Sequence, residues 1–335
     1  MSPLIQFTNS GLYCEQGGFY IDPWLPVERA IITHAHSDHA RFGNKNYLSH
    51  TLTKPVLQAR LGDNYYETLE WNETIYINGV KVSLHPAGHV IGSSQVRVAY
   101  GNEVWVASGD YKTENDGISG EFEPVKCDVF ITESTFGLPI YKWKKQEEIY
   151  SDIRNWILSN KQQNKTSVLL AYSLGKAQRV LDAVAPLGEK IYVHGAVWNM
   201  QQALIAAGVP LPLTERITPE TPKTELKNSI VIAPPSAAGS PWAKKFEPYS
   251  VGVCSGWMQV RGNMRRRNAD AGFVLSDHAD WDGLLSAITA THARKVFVTH
   301  GFQATFSRYL NEQGIESAEV RTQFGGEEEA QAEEL

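Results

Sequence analysis

The chain has 335 residues, 42% of them hydrophobic, which is too long for one compact core and makes two domains the expectation. No apolar run is long enough to span a bilayer, and Met1-Ser2-Pro3-Leu4-Ile5-Gln6 lacks a basic segment followed by an apolar one, so a cytoplasmic protein is expected. A net charge of −6 would disfavour a polyanionic partner, but five of the acids lie in the tail 327–335, which holds no bases and is expected to be disordered.

Up to about residue 135 the pattern is short, β-rich and broken by Gly, Asn or Pro. Strands are expected over Gly18 to Asp22, Ala30 to Thr33, Glu73 to Ile77, Val80 to Leu84, Gln95 to Ala99, Glu103 to Ala107 and Val129 to Thr132. Helices then alternate with apolar strands. The expected helices are Gln146 to Ser159, Lys176 to Ala185 and Trp198 to Ala207, and the strands are Ser167 to Ala171, Lys190 to Val193, Ile230 to Ala233 and Val251 to Cys254. Such alternation predicts a separate α/β domain with a parallel sheet. A basic run, Arg261-Gly262-Asn263-Met264-Arg265-Arg266-Arg267, precedes strand Gly272 to Leu275, helix Trp281 to Ala290, strand Val296 to Thr299 and helix Ala304 to Gln313. Cys14, Cys127 and Cys254 are widely spaced and odd in number, which fits buried free thiols.

The chemistry concentrates in His34-Ala35-His36-Ser37-Asp38-His39, at the end of the run Ala30-Ile31-Ile32-Thr33. A strand ending in a tight loop can aim alternate side chains at one point, and imidazoles with carboxylates suit zinc, manganese or iron. His34 and His36 are expected to share one ion, with Asp38 and His39 beside a second. More ligands are needed, and the candidates also follow strand ends. His89 comes after Pro86-Ala87-Gly88, Asp110 after Ser108-Gly109, and His300 after Val298-Thr299. A glycine before His89 and Asp110 lets the backbone bend sharply there. The bland reading of each alone is a turn-capping residue. His50, His85, His194 and His292 lack this setting and read as ordinary polar or core histidines.

Asp22, the six-residue motif, Ala87-Gly88-His89 and Ser108-Gly109-Asp110 resemble the motif series of the metallo-β-lactamase superfamily. Glu133 in Thr132-Glu133-Ser134-Thr135, His278 in Ser276-Asp277-His278-Ala279-Asp280, and His300 in Thr299-His300-Gly301 resemble three further motifs of its β-CASP nuclease branch. The stretch from Ser255-Gly256-Trp257-Met258 to Trp281 is most similar to the bacterial ligase-associated DNA exonucleases. The resemblance implies an αββα sandwich with an inserted β-CASP-type α/β domain: residues 1–140 and 263–325 for the sandwich, 141–262 for the insertion and 326–335 for the tail. It further implies that His34, His36, His89 and Asp110 hold one ion and that Asp38, His39, Asp110 and His300 hold the other, with Asp110 bridging. The two divalent ions are expected to be zinc or manganese.

The implied activity is that of a metal-dependent phosphodiesterase cutting DNA by a two-metal hydroxide mechanism, as an exonuclease, with single-strand endonuclease activity also open. Asp22, Asp38, Glu133 and His278 take catalytic roles in this reading. His278 protonates the leaving oxygen, Glu133 orients its ring and Asp22 orients a ligand histidine. The competing readings are a metal ligand for His278, a capping or turn carboxylate for Glu133, and a turn aspartate before Pro23 for Asp22. In the inserted domain, Lys176 and Arg179 at a helix start, Ser236 in a loop, Trp257 and the arginines Arg261, Arg265, Arg266 and Arg267 are candidates to line a path for a single strand. The tryptophans read equally as buried packing residues. Family context implies a repair setting with an ATP-dependent DNA ligase and a helicase. RNA stays open as substrate, because His300 is the version of the last motif usual in RNA-processing members. A small-molecule metallohydrolase and an inactive nucleic-acid-binding module are the readings from other classes.

Overall fold

A computed structural model describes residues 3–260 and 269–320. Arg261, Arg265, Arg266 and Arg267 and the acidic tail lie outside them. The architecture is mixed α/β. The chain divides into two units, one formed by the chain up to Lys142 and again from His278, the other by Trp143–Asp277. The second unit runs to Asp277, past residue 262 where the sequence placed the end of an insertion. The strand Ala271–Phe273 pairs in parallel with Tyr249–Cys254 and extends the second unit's sheet.

Among the described residues the first unit holds two sheets. One runs Gln6–Thr8, Gly11–Cys14, Phe19–Ile21, Arg29–Ile31, Asn46–His50, Tyr65–Leu69 in spatial order as well as sequence order. The other has the order Glu316–Glu319, Lys295–Thr299, Val129–Glu133, Glu103–Ala107, Ser94–Tyr100, Val80–Pro86, Thr74–Ile77. Ile21, Ile31 and Leu48 of the first sheet share one core with Val82, Leu84, Val96, Val98 and Ile131 of the second. The intervening residues Val106, Phe130, Val296 and Val298 face the other way, against Leu284 and Ile288 of helix Trp281–Thr291 and Phe306 and Leu310 of helix Gln303–Glu312. Burial on both faces explains why Val129-Phe130-Ile131 reads as a continuous apolar run rather than an alternation.

Strand direction in the second sheet decides where chemistry can gather. Val80–Pro86 and Glu103–Ala107 each pair antiparallel with Ser94–Tyr100, while Glu103–Ala107, Val129–Glu133 and Lys295–Thr299 pair in parallel. All four therefore end at the same edge. The segments carrying His89, Asp110, Glu133 and His300 leave from that edge.

In the second unit every strand pairing among the described residues is parallel, in the order Glu215–Arg216, Ile191–Val193, Ile230–Ala233, Thr166–Leu170, Tyr249–Cys254, Ala271–Phe273. Helix Gln146–Gln162 buries Ile149, Tyr150, Ile153 and Ile157, one face at helical spacing, in the same core as Leu169, Val180, Leu181 and Ile232.

Candidate metal centre

The ligands expected from the sequence, His34, His36, Asp38, His39, His89, Asp110 and His300, belong to the first unit together with Glu133 and His278. The site begins where the strand Arg29–Ile31 runs out. Thr33 is held on one side by Ser94, whose N–H donates to its carbonyl at 2.8 Å. On the other side its own N–H and hydroxyl donate to the Asp22 carboxylate at 2.8 and 2.6 Å. Asp22 adopts φ 43°, a left-handed conformation uncommon for a residue with a Cβ. Its Oδ2 lies 2.7 Å from His39 Nδ1, which fixes the ring and turns Nε2 toward Asp38 Oδ2 at 3.2 Å and Asp110 Oδ2 at 3.5 Å.

Asp110 stands at the middle of the cluster. Besides His39, its Oδ2 lies 3.6 Å from His34 Nε2 and 3.8 Å from His89 Nε2. His89 Nε2 in turn lies 3.1 Å from His36 Nδ1. Within each of three sets, candidate ligand atoms fall within 4.8 Å of one another: His34, His36, His89, Asp110; His34, Asp38, His39; and His39, Asp110, His300. Close backbone packing makes this convergence possible. Gly88 and Gly109 have φ 73° and 56°, and a Cβ on them would lie 2.4 Å from Lys112 O and 2.6 Å from Thr33 Oγ1. His300 has φ 52°, with its carbonyl taken by the Ser134 hydroxyl. Such a conformation costs about 1–3 kcal/mol and persists where the surroundings enforce it.

The donor set fits a cation. Nε2 of His34 is buried and makes no hydrogen bond, a condition that costs about 1–3 kcal/mol for a polar atom and that coordination would relieve. Burial and the neighbouring imidazoles push the pKa of His34 well down, and burial with His39 lowers that of His300, so both favour the neutral, ligating form. Burial opposes charge on Asp110 and Asp38, yet His39 holds both carboxyls below their usual range. Burial likewise opposes charge on His39, and Asp38, Asp110 and Asp22 together raise its pKa well above the ordinary value. The carboxylates thus call for positive charge at this point, which a proton on His39 or a metal cation supplies. Nitrogen and oxygen donors of this kind could hold zinc or manganese.

Glu133, fully buried at the end of its strand, is satisfied twice over. Its Oε1 accepts from Tyr111 N at 2.7 Å, and its two oxygens lie 3.1 and 2.9 Å from His278 Nδ1. The His278 ring centroid lies 4.5 Å from that of His89. Asp110, Glu133 and His278 also place ligand atoms within 4.8 Å, so the ligand reading of His278 has geometric room as well.

The second unit corrects three expectations. Lys176, Arg179 and Trp257 are 2%, 0% and 0% exposed, leaving no surface for a strand to touch. Lys176 Nζ lies 3.1 Å from Asp277 Oδ1, and Arg179 Nη1 donates to Ser276 O at 2.7 Å. Ser236 is exposed, in the short turn Pro235–Ala237. His85 lies 3.1 Å from Glu123, His50 stacks on Trp71 at 4.2 Å, His194 caps helix Gly195–Ala206 and His292 ends helix Trp281–Thr291, all ordinary roles. Sequence reasoning missed Thr33 and Tyr111. Thr33 Oγ1 approaches His34 Nδ1 at 3.1 Å as well as Asp22, and the one available signal was its place directly before the motif.

No protein-family model matches the chain. Over 316 residues, 93% of this chain and 30% of the relative, it is 28% identical to a protein named probable DNA ligase from Opitutus terrae. It is 26% identical over 191 residues to endoribonuclease YSH1 of Yarrowia lipolytica, covering 46% of this chain and 23% of that protein. It is also 26% identical over 174 residues to cleavage and polyadenylation specificity factor 73 of Drosophila melanogaster, covering 48% and 25%. The matched stretches thus span less than a third of the length of these curated relatives. A crystal structure of a protein of unknown function from Enterococcus faecalis V583 matches 89% of this chain and 80% of its own, with a TM-score of 0.63 at 12% identity, a likeness of fold alone. Motifs and sequence similarity together identify the chain as a relative of the β-CASP branch of the metallo-β-lactamase superfamily, near its bacterial ligase-associated members.

Proposed function

We propose that the chain is a metal-dependent nuclease that hydrolyses the phosphodiester bonds of DNA, on an αββα scaffold with a β-CASP-type insertion. The observation that carries the reading is the convergence of five histidines and Asp38 around Asp110, with the Glu133–His278 pair beside them. His34, His36, His89 and Asp110 would hold one divalent ion and Asp38, His39, Asp110 and His300 a second, zinc or manganese. When bound, such ions make water a nucleophile near neutral pH and draw negative charge from a phosphodiester.

The protein's own groups do the rest. Asp22 and Thr33 fix the His39 ring. Glu133 takes the Nδ1–H of His278, which leaves Nε2 to deliver a proton to the leaving oxygen. As the oxygen of water joins phosphorus and the phosphorus–oxygen ester bond breaks, that proton prevents departure as a strongly basic alkoxide.

DNA is favoured because the relative named for a DNA ligase matches nearly the whole chain, whereas the ribonuclease-named relative matches less than half. Association with an ATP-dependent ligase and a helicase belongs to the same proposal. The ribonuclease reading draws its support from the printed name of that second relative. The test is to strip the protein with a chelator, restore manganese or zinc, and incubate it with end-labelled single-stranded and duplex DNA and RNA. Metal-dependent cleavage of DNA is expected, and His278→Ala should slow it about 10²- to 10⁴-fold with both ions retained. Loss of an ion from that variant would make His278 a ligand instead. Cleavage confined to RNA would favour the ribonuclease reading, and no cleavage of either would remove the nuclease reading.

A further inference from the structure

We propose that Lys176 and Arg179 are positioning residues for His278, acting through the two residues that precede it; this rests on the reading of His278 as proton donor. The buried Lys176 ammonium lies 3.1 Å from the carboxylate of Asp277, whose side chain is 1% exposed, and the buried Arg179 guanidinium donates to the carbonyl of Ser276 at 2.7 Å. One cation holds a side chain and the other a backbone. The two are three residues apart in the first turn of helix Lys176–Val184, the spacing that puts side chains on one face. The helix start is itself fixed, since Gly175 N donates to Gln178 Oε1 at 2.6 Å and Gln178 Nε2 donates to Ser173 O at 3.1 Å.

The segment held in this way needs holding. Between the strand Ala271–Phe273 and the helix Trp281–Thr291, residues 274–280 form neither helix nor strand, so no ladder of backbone bonds sets the place of His278. On its C-terminal side Ala279 N donates to Tyr111 O at 2.6 Å. On its N-terminal side the Lys176 and Arg179 contacts supply the matching restraint. A buried ion pair is a poor source of stability compared with apolar side chains of the same volume, but it restricts a segment to one placement. His278 Nδ1 must meet Glu133 at 2.9 Å, and a shift of about 1 Å in a reacting group can cost about 100-fold in rate.

The experiment compares two substrates on the metal-loaded full chain. One is an oligonucleotide that the parent protein cleaves, whose leaving alkoxide needs a proton. The other is the p-nitrophenyl ester of thymidine 5′-monophosphate, whose leaving phenolate does not. Lys176→Met, Lys176→Arg and Asp277→Asn are measured alone and combined with His278→Ala. The paired Lys176→Met/Asp277→Asn protein leaves no lone charge and stands in for a single variant that does not fold. The expected result is a fall in kcat of about ten- to a hundredfold on the oligonucleotide, little change on the ester, partial recovery in Lys176→Arg, and no further loss on top of His278→Ala. Equal losses on both substrates, or losses that multiply with those of His278→Ala, would overturn the proposal. Should His278→Ala lose the oligonucleotide selectively while Lys176→Met and Asp277→Asn do not, the positioning role alone fails. Should His278→Ala slow both substrates equally, the proton-donor reading fails and the positioning role with it.

Discussion

At the candidate metal centre the direction of each imidazole matters as much as its presence, and Asp22 sets the direction for His39. With the Asp22 carboxylate 2.7 Å from Nδ1, that nitrogen carries the hydrogen and Nε2 is left to face Asp38 and Asp110. Asp22→Asn keeps the shape and an oxygen for Thr33, but can place an N–H donor against Nδ1, which favours the tautomer with its hydrogen on Nε2. Metal affinity should fall about 10- to 100-fold, measured by competition with a chelator of known strength, while the folded spectrum stays unchanged. Equal affinity in the two proteins would show that Asp22 does not orient a ligand. Spacing alone pointed to His34, His36, Asp38 and His39, because three histidines and an aspartate in six positions are rare, whereas the roles expected of His89, Asp110 and His300 came from their place after strand ends and from the resemblance. Thr33 was not readable, because its part depends on the left-handed backbone of Asp22 eleven residues earlier. Lys176 and Arg179 were misread for a related reason. Sequence shows charge but not the distant carboxylate and carbonyl that allow a cation to be buried.

Among elements, the apolar strands were the ones that sequence placed best, since Glu103–Ala107 and the fully buried Ile230–Ala233 form at the bounds their patterns predicted. The strands Gln6–Thr8 and Gly11–Cys14 went unseen, being three and four residues of mixed polarity that exist by pairing with one another. The run at Gly272 was recognised as a strand, but which sheet it joins is a matter of partners, and a local pattern carries no information on those. The turns after the strands are the elements on which the site depends most. Gly109 sits at φ 56° with Thr33 against the place of its missing Cβ. Gly109→Ala must therefore either push Thr33 away from Asp22 or change the turn that presents Asp110. A loss of about 1–3 kcal/mol is expected, with metal affinity falling alongside it. Urea unfolding and metal titration on the same protein check both, and retention of full stability would mean that the turn relaxes without disturbing Asp110.

For the whole molecule, length alone indicated two domains, and two units with separate cores are found. The two ligand sets proposed to hold the ions belong entirely to the first unit, so bound metal should act on one unit's stability and not on the other's. Without a cation, the buried Nε2 of His34 stays unsatisfied and the carboxylates of Asp38 and Asp110 repel one another. A ligand that binds only the folded state stabilises it by about 2.7 kcal/mol at a hundred times its dissociation constant. For a unit of this size that corresponds to about 5–10 °C in the midpoint of unfolding. Calorimetry with chelator and then with restored zinc or manganese should show that shift, and hydrogen exchange should locate it. Protection is expected to rise around Thr33, His89, Asp110 and His300 and to stay level in the strands Thr166–Leu170 and Ile230–Ala233 of the second unit. A midpoint indifferent to the metal would mean that these side chains gather no ion, and an equal gain in both units would mean that the two unfold as one.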